Sequence, residues 1–237
     1  MIYIVRHGQT ARNKANVLQG RSDVPLNETG RQQAEELRKR FAAAGIHFDR
    51  IYTSPLVRAV RTAELIVGAA GETGAAVQTG AAVEAGEIGA AEEDYVRTMI
   101  DGRLIEMDYG PYEGMDLYHP APEVIEFFRD FVRNPVPAGM EALENVVARM
   151  GQFLEDIREE ILRGARGDAR EDVLEDIREK AADMDILVST HAIAMKGALE
   201  YLTPDSHGSY WAKHIGNCGV YVTGIHPDGS WIVPKEW

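Results

Sequence analysis

The hydrophobic positions at the start of the chain form a continuous run rather than an alternating one. Residues 2–5 are β-branched or aromatic in succession, and the run stops at Arg6 and His7. A short unbroken apolar run is typical of a strand buried on both faces of a parallel sheet. The pattern therefore predicts a strand that presents Arg6 and His7 at its carboxyl end, where open α/β sheets bind ligands.

A helical pattern follows in residues 26–45. Ala34, Leu37 and Phe41 recur at helical spacing and define one apolar face. Asn27 is a residue type that caps helices at the amino end, and Gly45 suits a left-handed stop. The segment is therefore predicted to be a helix that Asn27 caps and Gly45 ends.

The next apolar segment, around residues 51–52, predicts a second strand. It continues into Ser54 and Pro55, which we interpret as a helix cap followed by proline at the first helical position. The predicted helix covers residues 56–67 and places Arg58 in its first turn.

Two further helices are predicted in the middle of the chain. The spacing of Ile125, Phe128 and Val132 indicates a helix over residues 122–132, which the prolines that follow would end. A longer helix over about residues 140–162 has apolar side chains along one face.

The last part of the chain repeats the opening pattern. Residues 185–190 read as a strand that ends at His191, and residues 192–202 read as a helix. Residues 218–234 alternate and contain an Asp-Gly pair, which predicts a terminal hairpin. Alternating strands and helices predict an α/β fold with a mainly parallel sheet. Since no domain boundary is visible, we expect one domain over residues 1–237.

Two segments lack a clear structural period and are interpreted as insertions. Residues 68–93 are rich in glycine and alanine, and we interpret them as a surface excursion with a short strand near Val77 or Val83. A mobile lid is the alternative. Residues 164–183 are dense in alternating charge and suggest a solvated helical extension, with a partner surface as the alternative. Either insertion could cover the ligand site or form a homodimer interface, and the sequence leaves both roles open.

Composition narrows the classes of partner. The 237 residues carry a formal net charge of −13, which argues against nucleic acid or an anionic membrane as the main partner. Cys218, the one cysteine, has no partner for an internal disulfide. No signal peptide is visible, and no apolar stretch approaches the roughly 18 residues of a membrane helix. The expected location is the cytoplasm.

Three predicted strands deliver basic side chains that would converge at one edge of the sheet. Arg6, His7, Arg58 and His191 would repel one another unless an anion lay between them. Guanidinium groups match phosphate oxygens, and the helix after Pro55 would add backbone N–H groups. The pocket therefore predicts a phosphoryl ligand. A zinc site is disfavoured because no third ligand has suitable spacing and the arginines would repel a cation.

Five motifs occur in order between residue 2 and about residue 200. They are "RHGQT" with Asn13, "QGRSDVPLNETGRQQA", "TSPLVRAVRTAE", "RLIEMDYGPYEG" and "STHAIA". Their combination resembles the histidine phosphatase superfamily, in its phosphoglycerate mutase-like branch. The resemblance implies a three-layer α/β sandwich with a mainly parallel central sheet.

The resemblance also implies roles for individual residues. His7 would be the nucleophile that becomes a phosphohistidine, and Glu106 would donate a proton to the leaving oxygen. This chemistry implies that no metal and no cofactor are needed. The groups implied to hold the phosphoryl oxygens are Arg6, Arg58, His191 and Asn13. Those implied to line the substrate mouth are Gln19 and Gly20. Arg61, where the family often has glutamine, is interpreted as an exposed helix charge, with a substrate contact as the alternative.

Three functions fit this resemblance. A phosphomonoesterase acting on a small phosphorylated metabolite is preferred, because residues 111–128 carry acidic side chains and no arginine or lysine. A mutase that embraces a bisphosphate would need basic groups there. An inactive member that binds a phosphorylated ligand is the third reading, and it is disfavoured because the nucleophile, the phosphate clamp and the acid are all present.

Overall fold

The computed structural model describes residues 1–68, 98–164 and 184–237, and these residues form one sheet between two layers of helices. The strands of the described residues are β1 (Ile2–Arg6), β2 (Arg50–Thr53), β3 (Thr98–Ile100), β4 (Ile186–Thr190), β5 (Val220–Thr223) and β6 (Lys235–Glu236). Their spatial order is β3-β2-β4-β1-β5-β6. The first four are parallel, whereas β5 runs antiparallel to both β1 and β6. The predicted mainly parallel α/β fold is confirmed.

Helices cover both faces of this sheet. They are α1 (Ala11–Lys14), α2 (Glu28–Ala43), α3 (Val57–Val67), α4 (Pro122–Arg129), α5 (Leu143–Gly164) and α6 (Ala192–Leu202). Short 3-10 helices lie at Gly102–Leu104, Gly110–Tyr112 and Pro204–Ser206. Side chains of α2 and α3 form the core on one face, and those of α4, α5 and α6 contribute to the core on the other. The arrangement is the predicted three-layer sandwich.

The continuous apolar run of β1 follows from this double burial. Ile2 and Ile4 pack into the core that contains α5 and α6, whereas Tyr3 and Val5 pack into the core that contains α2 and α3. Successive side chains of a strand point to opposite faces, so a strand covered on both sides needs apolar residues at every position.

The central strands β2, β4 and β1 end at the same edge of the sheet. In the register of the sheet Arg6 pairs with Thr190, and Thr53 pairs with Ser189. The His7 N–H donates to the Thr190 carbonyl oxygen at 2.9 Å, which extends the ladder by one residue. The residues that follow these three strands are therefore neighbours.

The structure confirms α2 and its cap but moves the start of α3. The Asn27 side chain accepts a hydrogen bond from the Gly30 N–H at 2.8 Å, and Gly45 has a φ of +72°. Helix α3 begins at Val57 after Leu56, so the prediction that Ser54 caps it and Pro55 opens it was wrong. The Ser54 N–H still donates to the neighbouring strand β4, so Ser54 continues the sheet. Two residues then separate it from the first residue of α3.

The predicted helix over residues 122–132 is shorter and presents a different face. It ends at Arg129, and Ile125 and Val132 are exposed, whereas Val124 and Phe127 are buried. The Asp130 carboxylate accepts the N–H of Val132 at 3.0 Å, and this side-chain turn replaces another helical turn.

The remaining predictions follow the structure closely where it can be compared. Helix α5 covers 143–164 where about 140–162 was predicted, and α6 covers 192–202 as predicted. The terminal hairpin is confirmed by a bridge between Ile225 and Trp231 and by the pairing of β5 with β6. The insertions predicted at 68–93 and 164–183 lie outside the described residues apart from Gly68 and Gly164. No helix within the described ranges is long and apolar enough to cross a membrane.

Candidate active site

The ends of β1, β2 and β4 bring the predicted basic residues into one buried cluster. His7 follows β1, His191 follows β4, and Arg58 lies in the first turn of α3, which follows β2. The Arg58 Nε is 3.2 Å from His7 Nε2, and the centroids of the two imidazole rings are 5.1 Å apart. The predicted convergence of these groups is confirmed.

The hydrogen bonds of His7 fix which of its nitrogens carries the proton. Nδ1 lies 2.7 Å from the Gly8 carbonyl oxygen, which only accepts, so Nδ1 bears the hydrogen. Nε2 is the unprotonated nitrogen, and its lone pair accepts from Arg58 Nε. Burial, reinforced by the charges of Arg58 and Arg6, lowers the pKa of His7 well below its ordinary value. The imidazole is therefore neutral, with its hydrogen on Nδ1 and none on Nε2.

Arg58 is completely buried and is held by three hydrogen bonds. Besides Nε, its Nη1 donates to the Ser22 carbonyl oxygen and its Nη2 to the Gly20 carbonyl oxygen, both at 2.7 Å. Burial lowers the pKa of Arg58 to about 10, while the carboxylate of Glu106 acts in the opposite direction. Arg58 remains a cation at neutral pH and ties the loop around Gly20 to α3.

Three predicted site residues carry buried nitrogens without a partner. The described residues contain five buried side-chain nitrogen or oxygen atoms that lack one, and three of these are Arg6 Nε, Gln19 Nε2 and His191 Nδ1. Buried polar atoms almost always have a hydrogen-bond partner, so such a group of exceptions calls for an explanation. A ligand with several acceptor oxygens would provide the missing partners.

Glu106 is anchored at the amino terminus of α6. It is 3% exposed. Its Oε1 accepts from the N–H groups of Met107 at 2.9 Å and Ala194 at 3.0 Å, and its Oε2 accepts from Ile193 at 3.2 Å. Because Oε2 accepts a single N–H, it retains capacity for a further contact. These hydrogen bonds hold the carboxyl group against the first turn of α6, which directly follows His191.

The other predicted substrate residues lie in α1 and on the loop that follows it. The Asn13 Oδ1 accepts from the Thr10 N–H at 3.2 Å within the cap of α1. The Gln19 Oε1 accepts from the Thr10 hydroxyl at 2.6 Å. The Gly20 N–H donates to the Glu113 carboxylate at 2.9 Å, so that the loop is held from two sides.

The structure adds two neighbours that the sequence did not reveal. The Asn217 amide donates to the His7 carbonyl oxygen at 3.0 Å and to Asn13 Oδ1 at 3.2 Å. The Lys196 Nζ donates to the Trp211 carbonyl oxygen at 2.7 Å, and burial lowers the pKa of Lys196 to about 8. Neither residue lies in any of the five sequence motifs. Their position near the site is visible only in the tertiary structure.

Cations around the mouth are paired with carboxylates. The closest ion pairs are Arg12 with Glu113 at 2.8 Å, Arg149 with Glu141 at 2.9 Å, and Arg21 with Asp108 at 3.1 Å and with Glu141 at 3.3 Å. Arg61 pairs with Glu64 at 3.0 Å on the outer side of α3, in agreement with an exposed helix charge. In the described part of the chain, no group of three or more His, Cys, Asp or Glu side chains is arranged to hold a metal ion.

The fold and this cluster define a class of phosphoryl-transfer proteins, and comparison with known proteins identifies the family. The sequence model of the histidine phosphatase superfamily (branch 1) matches residues 2–81 and 76–164. The chain belongs to the histidine phosphatase superfamily.

Individual relatives within the superfamily differ in name. A protein of Hydrogenobacter thermophilus, provisionally named phosphoserine phosphatase 2, is 26% identical over 97% of this chain and 90% of its own. A 2,3-bisphosphoglycerate-dependent phosphoglycerate mutase of Azorhizobium caulinodans is 31% identical over 70% of this chain and 72% of its own.

A solved structure shares the fold over nearly the whole chain. It is a mutant phosphoserine phosphatase of Entamoeba histolytica in complex with phosphoserine, with a TM-score of 0.66 and 19% identity over 99% of this chain and 95% of that one. At this identity the similarity shows the fold alone.

Proposed function

We propose that the protein is a phosphomonoesterase that hydrolyses a small phosphorylated metabolite through a phosphohistidine on His7. The observation that carries the proposal is a neutral imidazole whose unprotonated Nε2 accepts from the buried Arg58, with the charge of the half-buried Arg6 acting on the same ring. The unpartnered nitrogens of Arg6, Gln19 and His191 provide donors for the oxygens of a phosphoryl group. Phosphoryl transfer depends mainly on such positioning and charge neutralisation.

The reaction has two steps that balance. In the first, the Arg58 Nε–H leaves the His7 Nε2 lone pair for a phosphoryl oxygen, that lone pair forms a bond to phosphorus, the ester P–O bond breaks, and the protonated Glu106 carboxyl gives its proton to the leaving oxygen. In the second, a water oxygen bonds to phosphorus, the N–P bond breaks, and Glu106 takes a proton from that water. Arg6, Arg58, His191 and Asn13 hold the phosphoryl oxygens throughout. No metal ion takes part in the proposed steps.

Charge at the mouth favours hydrolysis over mutase chemistry. A mutase must accommodate a second phosphate, which requires cations that are free to bind it. Arg12, Arg21 and Arg149 are instead neutralised by Glu113, Asp108 and Glu141. A bisphosphate would have to break these pairs.

The names of the relatives include both phosphatases and mutases, and the mutases supply the second candidate function. Two proteins named as phosphoserine phosphatases match this chain over nearly its whole length. A phosphoglycerate mutase is more identical, but over 70% of the chain. The alternative function is therefore a mutase that uses the same phosphohistidine.

Release of inorganic phosphate from a panel of monoesters tests the proposal. The panel contains phosphoserine, 3-phosphoglycerate and p-nitrophenyl phosphate, and EDTA replaces any added metal. We expect release without a bisphosphate primer. Activity that requires 2,3-bisphosphoglycerate and interconverts monophosphoglycerates with little phosphate release would establish the mutase instead. Activity lost with EDTA and restored by a divalent cation would contradict the metal-free steps.

Helix α3 offers a matched pair of arginines for the same assay. Arg58→Ala should lower the rate by about 10² to 10³, because it removes a preorganised charge from the phosphoryl site. Arg61→Ala removes a charge of the same sign that is paired with Glu64 one turn away, and should leave the rate unchanged. Equal effects of the two substitutions would contradict the assignment of Arg58.

A further inference from the structure

Ser54 is a buried residue that the proposed steps do not use. It follows β2 and is completely buried beside His191, which follows the neighbouring strand β4. Its N–H donates to the Ser189 carbonyl oxygen at 3.0 Å, which continues the pairing of the two strands and fixes the distance between their ends. The Ser54 Oγ lies 2.7 Å from His191 Nε2.

The direction of that hydrogen bond follows from the other contact of the hydroxyl. The Leu56 N–H donates to Ser54 Oγ at 3.3 Å, so this contact uses a lone pair of the oxygen. Among the described residues, the hydroxyl hydrogen then has the lone pair of His191 Nε2 as its acceptor. Reversal of the bond would leave the hydroxyl hydrogen without an acceptor in a buried site, which is costly.

A neutral imidazole carries one hydrogen, and the hydrogen bond at one nitrogen decides where it lies. Burial, reinforced by Arg58 and His7, lowers the pKa of His191 well below its ordinary value, so the ring is neutral. If Nε2 accepts from Ser54, the hydrogen is on Nδ1. Nδ1 is the buried ring atom without a partner in the described part of the chain.

We infer that Ser54 is a positioning residue that holds His191 in the Nδ1–H tautomer, so that Nδ1–H donates to an oxygen of the phosphoryl group on His7. This inference rests on the proposed function for its consequence in catalysis, but the tautomer itself does not. The serine acts through His191 and touches neither substrate nor phosphorus.

Nitrogen NMR of protein labelled with 15N-histidine measures the tautomer directly. In the parent we expect a protonated Nδ1 and an unprotonated Nε2 at His191. In Ser54→Ala the proton should shift wholly or partly to Nε2, while the signals of the exposed His119 stay in place. A parent with the proton on Nε2, or a Ser54→Ala protein with an unchanged Nδ1–H tautomer, would overturn the inference.

A double-mutant cycle measures the consequence for rate. Ser54→Ala in the parent should lower kcat by about 10- to 100-fold, the scale of losing a group that orients another ligand-binding side chain. His191→Asn places an amide donor near the position of Nδ1 whatever residue occupies position 54. Ser54→Ala should therefore cost nothing further in that background, and an equal loss in both backgrounds would overturn the inference. Absence of a phosphoenzyme in the parent would instead refute the proposed function and leave the tautomer result intact.

Discussion

At the scale of single residues, the proposed chemistry depends on how two histidines are kept neutral. Both nitrogens of His7 are engaged, Nδ1 by the Gly8 carbonyl oxygen and Nε2 by Arg58. Burial and neighbouring positive charge lower the pKa of this ring, so the proposed nucleophile is unprotonated at Nε2 at neutral pH. The sequence predicted the residue types, since a strand ending in Arg6 and His7 is visible from the pattern alone. The tautomers were not predictable, because they depend on carbonyl and hydroxyl groups that only the fold brings near.

The lowered pKa of His7 has a consequence for stability. An unfolded histidine has a pKa of about 6.5, so as the pH falls through this value the unfolded chain binds a proton that folded His7 excludes. The parent should therefore lose stability relative to His7→Gln by up to about 1.4 kcal/mol per pH unit below that point. Urea denaturation of both proteins at about pH 7.5 and about pH 5.5 measures the difference. A difference that does not change with pH would contradict the assignment of a lowered pKa.

At the scale of elements, the start of α6 brings Glu106, the predicted acid, close to His191, which is predicted to bind phosphate. Periodicity predicted α6 to the residue, but the contact of Glu106 with its first N–H groups joins segments 87 and 88 residues apart. Such contacts leave no local signal. The errors at α3 and α4 have the same origin, because Ser54 and Asp130 direct their side chains to tertiary or turn contacts instead of helix capping or continuation.

Glu106→Gln tests both roles of this carboxyl group. The amide cannot protonate a leaving oxygen, so monoesters of poor leaving groups should react about 10² to 10⁴ times more slowly, and p-nitrophenyl phosphate should be affected far less. The amide has one acceptor oxygen where the carboxyl group has two, so a backbone N–H at the start of α6 should lose its acceptor and the free energy of unfolding should fall by about 1 to 3 kcal/mol. Rates across a series of leaving groups and urea denaturation measure the two effects.

A matched control lies in the first turn of α5. Glu144→Gln changes the same chemical group at another helix start, on an exposed residue. It should leave the dependence on leaving group unchanged. The same dependence in both variants would mean that Glu106 does not serve as the acid.

At the scale of the whole molecule, a chain of net charge −13 encloses a locally positive pocket. The parallel sheet makes this pocket predictable, because two of its strands lead directly to histidines, a third leads to the helix that carries Arg58, and parallel strands end at one edge. What could not be predicted is how the pocket is closed from the carboxyl-terminal part of the chain. Asn217 reaches the His7 carbonyl oxygen across 210 positions, and the Arg6 guanidinium donates to the Ile215 carbonyl oxygen. No periodicity or motif marks that loop.

Direct trapping of the phosphoenzyme tests the central claim. Radiolabelled p-nitrophenyl phosphate is mixed rapidly with the enzyme, quenched in base during the first turnover, and the labelled peptide is identified. We predict acid-labile, base-stable label on His7 in the parent and in the control His119→Ala, whose ring is exposed, and none in folded His7→Ala, which should also be inactive. A parent that turns over without forming this label, or a His7→Ala protein that keeps its activity, would contradict hydrolysis through a phosphohistidine.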